Sequence, residues 1–406
     1  MNAPKLYSSP FNIAVIAAGL GFFIDAFDLF LFSIYRIPSL TELGLSGKEL
    51  LSQGEWLLSV QMAGMMVGGL ITGIIGDKRG RVAVLFGSIL LYSGANIANA
   101  FVHDTTTYAV IRFLAGVGLA GELGAGITLV SETMTIERRG YGTILVATLG
   151  ALGAVSAGLA GDFLYWRHAF FIAGVAGLLL LLLRVKSLES HIFRKAVEQA
   201  NVHKGSLIKL LSKPKRSLRY LACIFMGVPI WYSVGLLITL SPELAKEGQV
   251  DFWKLTTAFT LFQLGITTGD LSSGIISQWI RNRKKTILAF MVVAILGTIA
   301  FFNGFATGVA HYHYCFIMGL GCGYLSVFVT TLAERFGTNY RVLVTSTVTN
   351  FMRGSVTLMI PLRIYLEQHM TMWWSLVATG MVVWILALAS TLWLEDTYGK
   401  DLDFVE

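Results

Sequence analysis

Asp25 and Asp28 stand three residues apart in a run, Phe11 to Tyr35, that carries no other charge. On a helix that spacing puts both carboxyls on one face. Acids in an apolar run are costly and rare, and the chemistry they suit is the carrying of a proton. Glu122 has a similar setting, with neighbours that are mostly Gly, Ala and Leu. Arg112 precedes it in the same apolar run, and Arg353 follows Asn350 in another. A guanidinium in such a place grips a carboxylate bidentately. Trp231 and Tyr232 after Pro229, with Gln263 and Tyr324, add aromatic and amide groups of the kind that line sugar and organic-acid sites. Many membrane aromatics, however, merely face lipid. These residues predict proton coupling by Asp25, Asp28 and Glu122. They predict solute binding by Arg112, Arg353, Asn350, Gln263, Trp231, Tyr232 and Tyr324. The plainer alternative is permanent ion pairs that orient helices, with Arg353 locked to Asp270.

Other chemistries find no support. Cys223, Cys315 and Cys322 lie in apolar stretches without ligand-like spacing and read as small hydrophobes. His311 and His313 are two apart, a spacing that does not share a helix face, so interfacial histidines are expected and no metal. Gly116-x-Gly118-x-x-Gly121 has the numerical form of a nucleotide loop, but no strand precedes it; helix packing is expected. No nucleophile or zinc constellation appears, so neither an enzyme nor a cofactor is expected beyond the proton as coupling ion.

The elements that position these residues follow from composition. Of 406 residues, 55% are hydrophobic and 14% charged, against about 25% charged in ordinary soluble domains. The bilayer is the solvent that fits. Stretches of the required length fall at 11–35, 53–76, 82–101, 108–132, 142–161, 166–183, 219–240, 253–280, 286–306, 311–333, 342–362 and 370–394. This predicts an all-α membrane protein of twelve transmembrane helices in two six-helix bundles. Residues 1–183 form the first bundle, 184–218 a basic cytoplasmic linker, and 219–406 the second bundle with a short tail. Most of the 31 Lys and Arg fall in alternate loops, beginning with Lys78, Arg79 and Arg81 and including the linker. That bias puts both termini in the cytoplasm of a bacterial-type inner membrane. The net charge of +7 is then a topology signal with contact to anionic lipid, and nucleic acid is not an expected partner. Arg36 and Arg363 count as outer-loop charges.

The halves echo each other. Span 4 reads F-L-A-G-V-G from Phe113 and ends at Glu132, with Arg139 seven residues on; span 10 reads F-I-M-G-L-G from Phe316 and ends at Glu334, with Arg341 seven residues on. Span 2 leaves through Gly73-x-x-x-Asp77, and span 8 through the matching Gly274-x-x-x-Gln278. Parallel repeats of this kind suit bundles that rock about a central site.

Taken together, these residues resemble the major facilitator superfamily over essentially the whole chain. Gly73-x-x-x-Asp77-Lys-x-Gly80-Arg81 is similar to its loop 2–3 signature, and Arg112-x-x-x-Gly116-x-Gly118 to its span 4 signature. Glu132 to Arg139-Gly140, Leu188-Glu189-Ser190 and Glu395-x-Thr397-x-Gly399 resemble its sugar and metabolite porters. Asp25-x-Phe27-Asp28 resembles its aromatic-acid and metabolite proton symporters. Two features depart from the pattern: Gln278 stands where an acid would complete the repeat, and span 5 lacks the proline of drug antiporters.

The resemblance implies a gate of Gly73, Asp77, Gly80, Arg81, Glu132 and Arg139, mirrored by Glu334 and Arg341. Static loop structure is the alternative. It also implies that spans 1 and 4 line a cavity. Asp25 and Asp28 rise roughly 21–26 Å from the inner edge, and Arg112 lies roughly 6 Å below the outer one, so Arg112 and Asp28 are expected to pair. The expected function is proton-coupled uptake of a small polar or anionic metabolite by a monomer working by alternating access. Proton-driven efflux of a drug or siderophore is the competing reading, and a transport-dead sensor a third.

Overall fold

The computed structural model describes residues 13–79, 81–121, 139–188, 210–308 and 311–399. The chain folds as two compact units, Met1–Lys204 and Gly205–Glu406.

The first unit holds α1 (Ile13–Glu42), α2 (Gly47–Arg79), α3 (Arg81–Asn99), α4 (Thr105–Leu119), α5 (Arg139–Phe163) and α6 (Trp166–Leu188). α1 packs on α5 and α6, α2 on α4, and α3 on α4 and α6. The second unit begins with α7 (Pro214–Trp231), which passes Pro229 and continues as a π-helical turn, Tyr232–Ile238. Then come a short α8 (Ser241–Glu247), α9 (Leu255–Ile280), α10 (Arg283–Ala306), α11 (Tyr312–Cys322), α12 (Leu325–Arg335), α13 (Thr338–Gly354), α14 (Val356–Glu367) and α15 (Met372–Trp393). Its pairings repeat the first unit's: α7 with α13 and α15, α9 with α11, and α10 with α11 and α15.

Glycines set these pairings, because in lipid close backbone approach supplies much of the attraction between helices. A Cβ on Gly64 would fall 2.3 Å from Phe113 O, and one on Gly265 would fall 2.2 Å from Phe316 O. Gly116 meets Gln61 O at 2.1 Å, and Gly319 meets Phe262 O at 2.2 Å, on the same construction. The two F-x-x-G-x-G segments therefore dock on their partner helices in the same way.

Six described helical stretches are long and apolar enough to cross a membrane by themselves. Large apolar side chains such as Leu90, Leu182, Ile275, Leu296, Ile385 and Trp393 are exposed on the helices, which a bilayer covers and water would not. The three cysteines are free and buried, and all belong to the second unit.

Three expectations change. Span 10 is two helices, α11 and α12, broken at Gly323 and Tyr324. Gly323 lies so close to α9 that a Cβ would sit 2.5 Å from Ile266 O, and Asp270 supplies a new start by accepting from Ser326 N at 2.6 Å. Span 11 is likewise α13 and α14, parted at Ser355. Arg36 and Arg363 are not loop charges. Both are buried, because α1 runs on to Glu42 and α14 to Glu367. Arg36 packs against Gly54, next in sequence to the buried Glu55, and Arg363 pairs with Glu367 at 2.8 Å.

A buried amide-held arginine and its surroundings

Asp104 caps the start of α4, accepting from Thr107 N at 2.8 Å. Two turns on, Arg112 is fully buried. Its Nη2 donates to Asn96 Oδ1 at 2.8 Å and its Nε to Asn99 Oδ1 at 3.1 Å. The two amides are three residues apart on α3 and so share the face that meets α4. The guanidinium carbon lies 4.6 Å from the centre of the Phe170 ring on α6. Tyr108, one turn earlier, donates to Ser39 Oγ at 3.2 Å and stacks on Trp166 at 6.2 Å. Arg112, on α4, is thus oriented by α3 and α6.

Asp28 is fully buried and Asp25 7% exposed. Asp28 lies beside Asn96 and in the field of Arg112, but neither of its oxygens closes a hydrogen bond among the described residues. The expected direct pair of Asp28 with Arg112 is replaced by an arrangement in which Asn96 stands beside both. Asn96 and Asn99 are absent from the residues that sequence singles out. Their signal is two amides, i and i+3, in a span without charge.

The sequence belongs to a known family. A sequence model of the Major Facilitator Superfamily matches residues 18–361. The chain is a member of that superfamily. The putative niacin/nicotinamide transporter NiaP of Bacillus subtilis (strain 168) is 26% identical over 297 residues, 70% of this chain and 71% of that protein. The 3-(3-hydroxy-phenyl)propionate transporter of Escherichia coli (strain K12) is 28% identical over 263 residues, 62% and 63% of the two chains. Among solved structures, a D-xylose-proton symporter superposes with a TM-score of 0.70 at 14% identity, covering 97% of this chain and 100% of that one. The chain is accordingly a transporter of small molecules, a multi-pass protein of the bacterial inner membrane, and not an enzyme; its fold is the twelve-helix superfamily fold.

Within the superfamily fold the remaining predicted residues separate. In the second unit, the Arg353 guanidinium lies 5.8 Å from the centre of the buried Trp231 ring. Asp270 accepts from Ser326 N instead, and among the described residues no ion pair joins it to Arg353, so the alternative of an Asp270 lock is not met. Asn350 is buried and donates to Ser346 O at 3.1 Å. Gln263 is buried, and its Nε2 has no partner among the described residues. Tyr232 and Tyr324 are buried with their hydroxyls bound to backbone, to Leu376 O at 2.8 Å and Met226 O at 2.9 Å.

Of the predicted gate, Glu334 is placed. It pairs with Arg283 at 3.1 Å and accepts from Thr397 Oγ1 at 2.8 Å. Arg283 also donates to Ser277 at 3.0 Å and lies 4.9 Å from the Tyr398 ring centre. Asp396 accepts from Lys284 N at 2.9 Å, and Arg335 donates to the Glu395 carbonyl. The ends of α9, α10 and α12 are thereby tied to the segment after α15. Glu122, Glu132 and Gly80 lie outside the described residues, as do the side chains of Asp77, Arg81, Arg139 and Arg341; Gly73 is in α2.

Two features lie away from both clusters. His311 and His313 stack with ring centres 5.1 Å apart, contrary to their expected separation, because His311 is the cap residue outside α11. Glu42 gathers Tyr165 and Trp166, each at 2.6 Å, and Arg167 at 3.0 Å. It borders an open groove with His103, His168 and Phe171 that holds none of the predicted solute-binding residues.

Proposed function

We propose that this transporter imports a small organic carboxylate, an aromatic acid before others, together with a proton, by alternating access. The observation that carries this reading is the fully buried Arg112, held by neutral amides beside the buried acid Asp28. A buried cation beside a buried acid suits a solute carboxylate and a proton that enter and leave together. Two of the solutes named for the relatives, niacin and 3-(3-hydroxy-phenyl)propionate, are aromatic carboxylates of this class, whereas nicotinamide, named with niacin, is a neutral amide.

In this reading Asp28, with Asp25 and Glu122, carries the proton. Arg112 anchors the carboxylate. Arg353 over Trp231, with Asn350 and Gln263, contributes to selecting the rest of the solute. Asp77, Arg81, Glu132 and Arg139 form a charge network that biases the two states, and Glu334 with Arg283 forms its counterpart. Both termini are cytoplasmic, the working unit is a monomer, and no cofactor is needed beyond the proton.

The test is uptake of nicotinate and 3-(3-hydroxyphenyl)propionate into proteoliposomes with an imposed pH gradient, acid outside. Expected are accumulation by the wild type, and loss of gradient-driven accumulation with retained solute exchange in Asp28→Asn. Gradient-driven uptake at full rate by Asp28→Asn refutes the proton role of Asp28. Flux that runs only outward refutes import.

A further inference from the structure

Arg112 has an unusual set of partners. Among the described residues it makes no ion pair, and both of its hydrogen bonds go to uncharged amide oxygens, those of Asn96 and Asn99. Its Nη1 has no partner among them. A buried guanidinium ordinarily takes a carboxylate, because an uncompensated buried charge is expensive. Here amides orient the group, and the nearby Asp28 supplies the opposite charge without a direct ion pair.

Asn96 does this with one end only. Its Oδ1 faces Arg112, and the residue also lies against Asp28. Its Nδ2 closes no hydrogen bond among the described residues. A short amide side chain offers an acceptor to a cation and a donor to an anion at once. Aspartate has almost the same shape and would bind Arg112 more strongly, yet it would neutralise it permanently.

We propose that Asn96 and Asn99 are positioning residues that present Arg112 as a seat for an exchangeable anion, occupied in turn by Asp28 and by the carboxylate of the solute. The inference rests on the import reading above for its solute, but not for the charge relationship itself. A purely structural role for the amides would be satisfied by any side chain that accepts from Arg112 and packs as asparagine does. The proposed role requires neutrality at both positions, and it makes Asp28 the resident counter-ion.

The test needs no solute. Thermal melts of the purified full-length protein compare the wild type, Asp28→Asn, Asn96→Asp and the double variant. Asp28→Asn is expected to melt about 5 °C lower, since it removes the resident counter-charge. Asn96→Asp is expected to melt at or above the wild type. The double variant is expected to recover at least half of the loss, because the new acid supplies the missing charge. Asn99→Asp, approaching from the Nε side, provides a second rescue should Asn96→Asp not fold. An Asp28→Asn protein as stable as the wild type, or rescue of less than half by either acid, overturns the proposal. If the wild type fails to import either solute, the import reading falls while this cycle remains readable. If the effects are additive, the amide role falls while the uptake test stands.

Discussion

Asp270 on α9 accepts a hydrogen bond from the backbone amide of Ser326 at 2.6 Å, and in doing so starts a helix to which it does not belong. The first turn of any helix has amides without internal partners. Where a helix is broken inside a membrane, a side chain of a neighbouring helix can satisfy them. Asp270→Ala should therefore lower stability by about 0.5–2 kcal/mol, the usual worth of a cap, and speed amide exchange at Ser326 to Phe328. Unchanged exchange there would show that the break is held by something else.

The Arg283–Glu334 pair, with side chains 9% and 11% exposed, predicts an asymmetric response. Removing one partner strands a buried charge, at a cost of about 3 kcal/mol. Glu334→Ala and Arg283→Ala should each melt well below the wild type, and Arg283→Met with Glu334→Leu above either. Thermal melts of the three variants decide the matter; a double variant no better than the worse single would mean that Ser277 and Thr397 carry the network.

Gly116 and Gly319 should respond alike to alanine. Each hypothetical Cβ falls little more than 2 Å from a backbone oxygen, Gln61 O and Phe262 O, and backbone does not move aside cheaply. Overpacking of this kind costs about 1–3 kcal/mol. Gly87→Ala is the control, since nothing lies within 4 Å of its Cβ position. Equal melting temperatures for Gly87→Ala and Gly116→Ala would contradict the packing described.

Tyr232 and Tyr324 test the division between support and binding. Their hydroxyls donate to the carbonyls of Leu376 and Met226, a bond worth about 1 kcal/mol each. Tyr232→Phe and Tyr324→Phe should lose that stability and keep the wild-type KM for the transported solute. A KM raised several-fold without a change in melting would return these residues to the solute site.

Acid should loosen the start of α4. The hydrogen bonds from Thr107 hold the exposed Asp104 carboxyl below its ordinary value, which is near 3.9. A lowered folded value means that the cap's contribution is present above the unfolded value and disappears as pH falls through the folded one. Between pH 5 and pH 3 the melting temperature of the wild type should fall more steeply than that of Asp104→Asn, which caps without titrating. Parallel slopes would refute the assignment.

How far these features can be read from sequence depends on what marks them. Asp28 and Arg112 are conspicuous because a charge in an apolar run has few bland explanations. Asn96 and Asn99 are not, since only their i, i+3 spacing hints at a shared task. The breaks at Gly323 and Ser355 escape a hydropathy scan, which weighs apolarity and is blind to a backbone pressed against Ile266. Arg36 reads as lying outside the membrane because a charge after an apolar run looks like the end of a span, whereas α1 continues through Pro38 to Glu42. The repeat matches Glu334 with Arg341, but its partner Arg283 comes from another helix, and only the fold brings them together.

The placement of the cysteines has a practical side. Cys223, Cys315 and Cys322 are buried, free and confined to the second unit, and a thiol without access to solvent reacts slowly with maleimides or spin-label reagents. The native protein is therefore already a silent background for labelling. Single exposed cysteines added to each unit can carry a donor and an acceptor dye without first stripping the chain of its own sulfur.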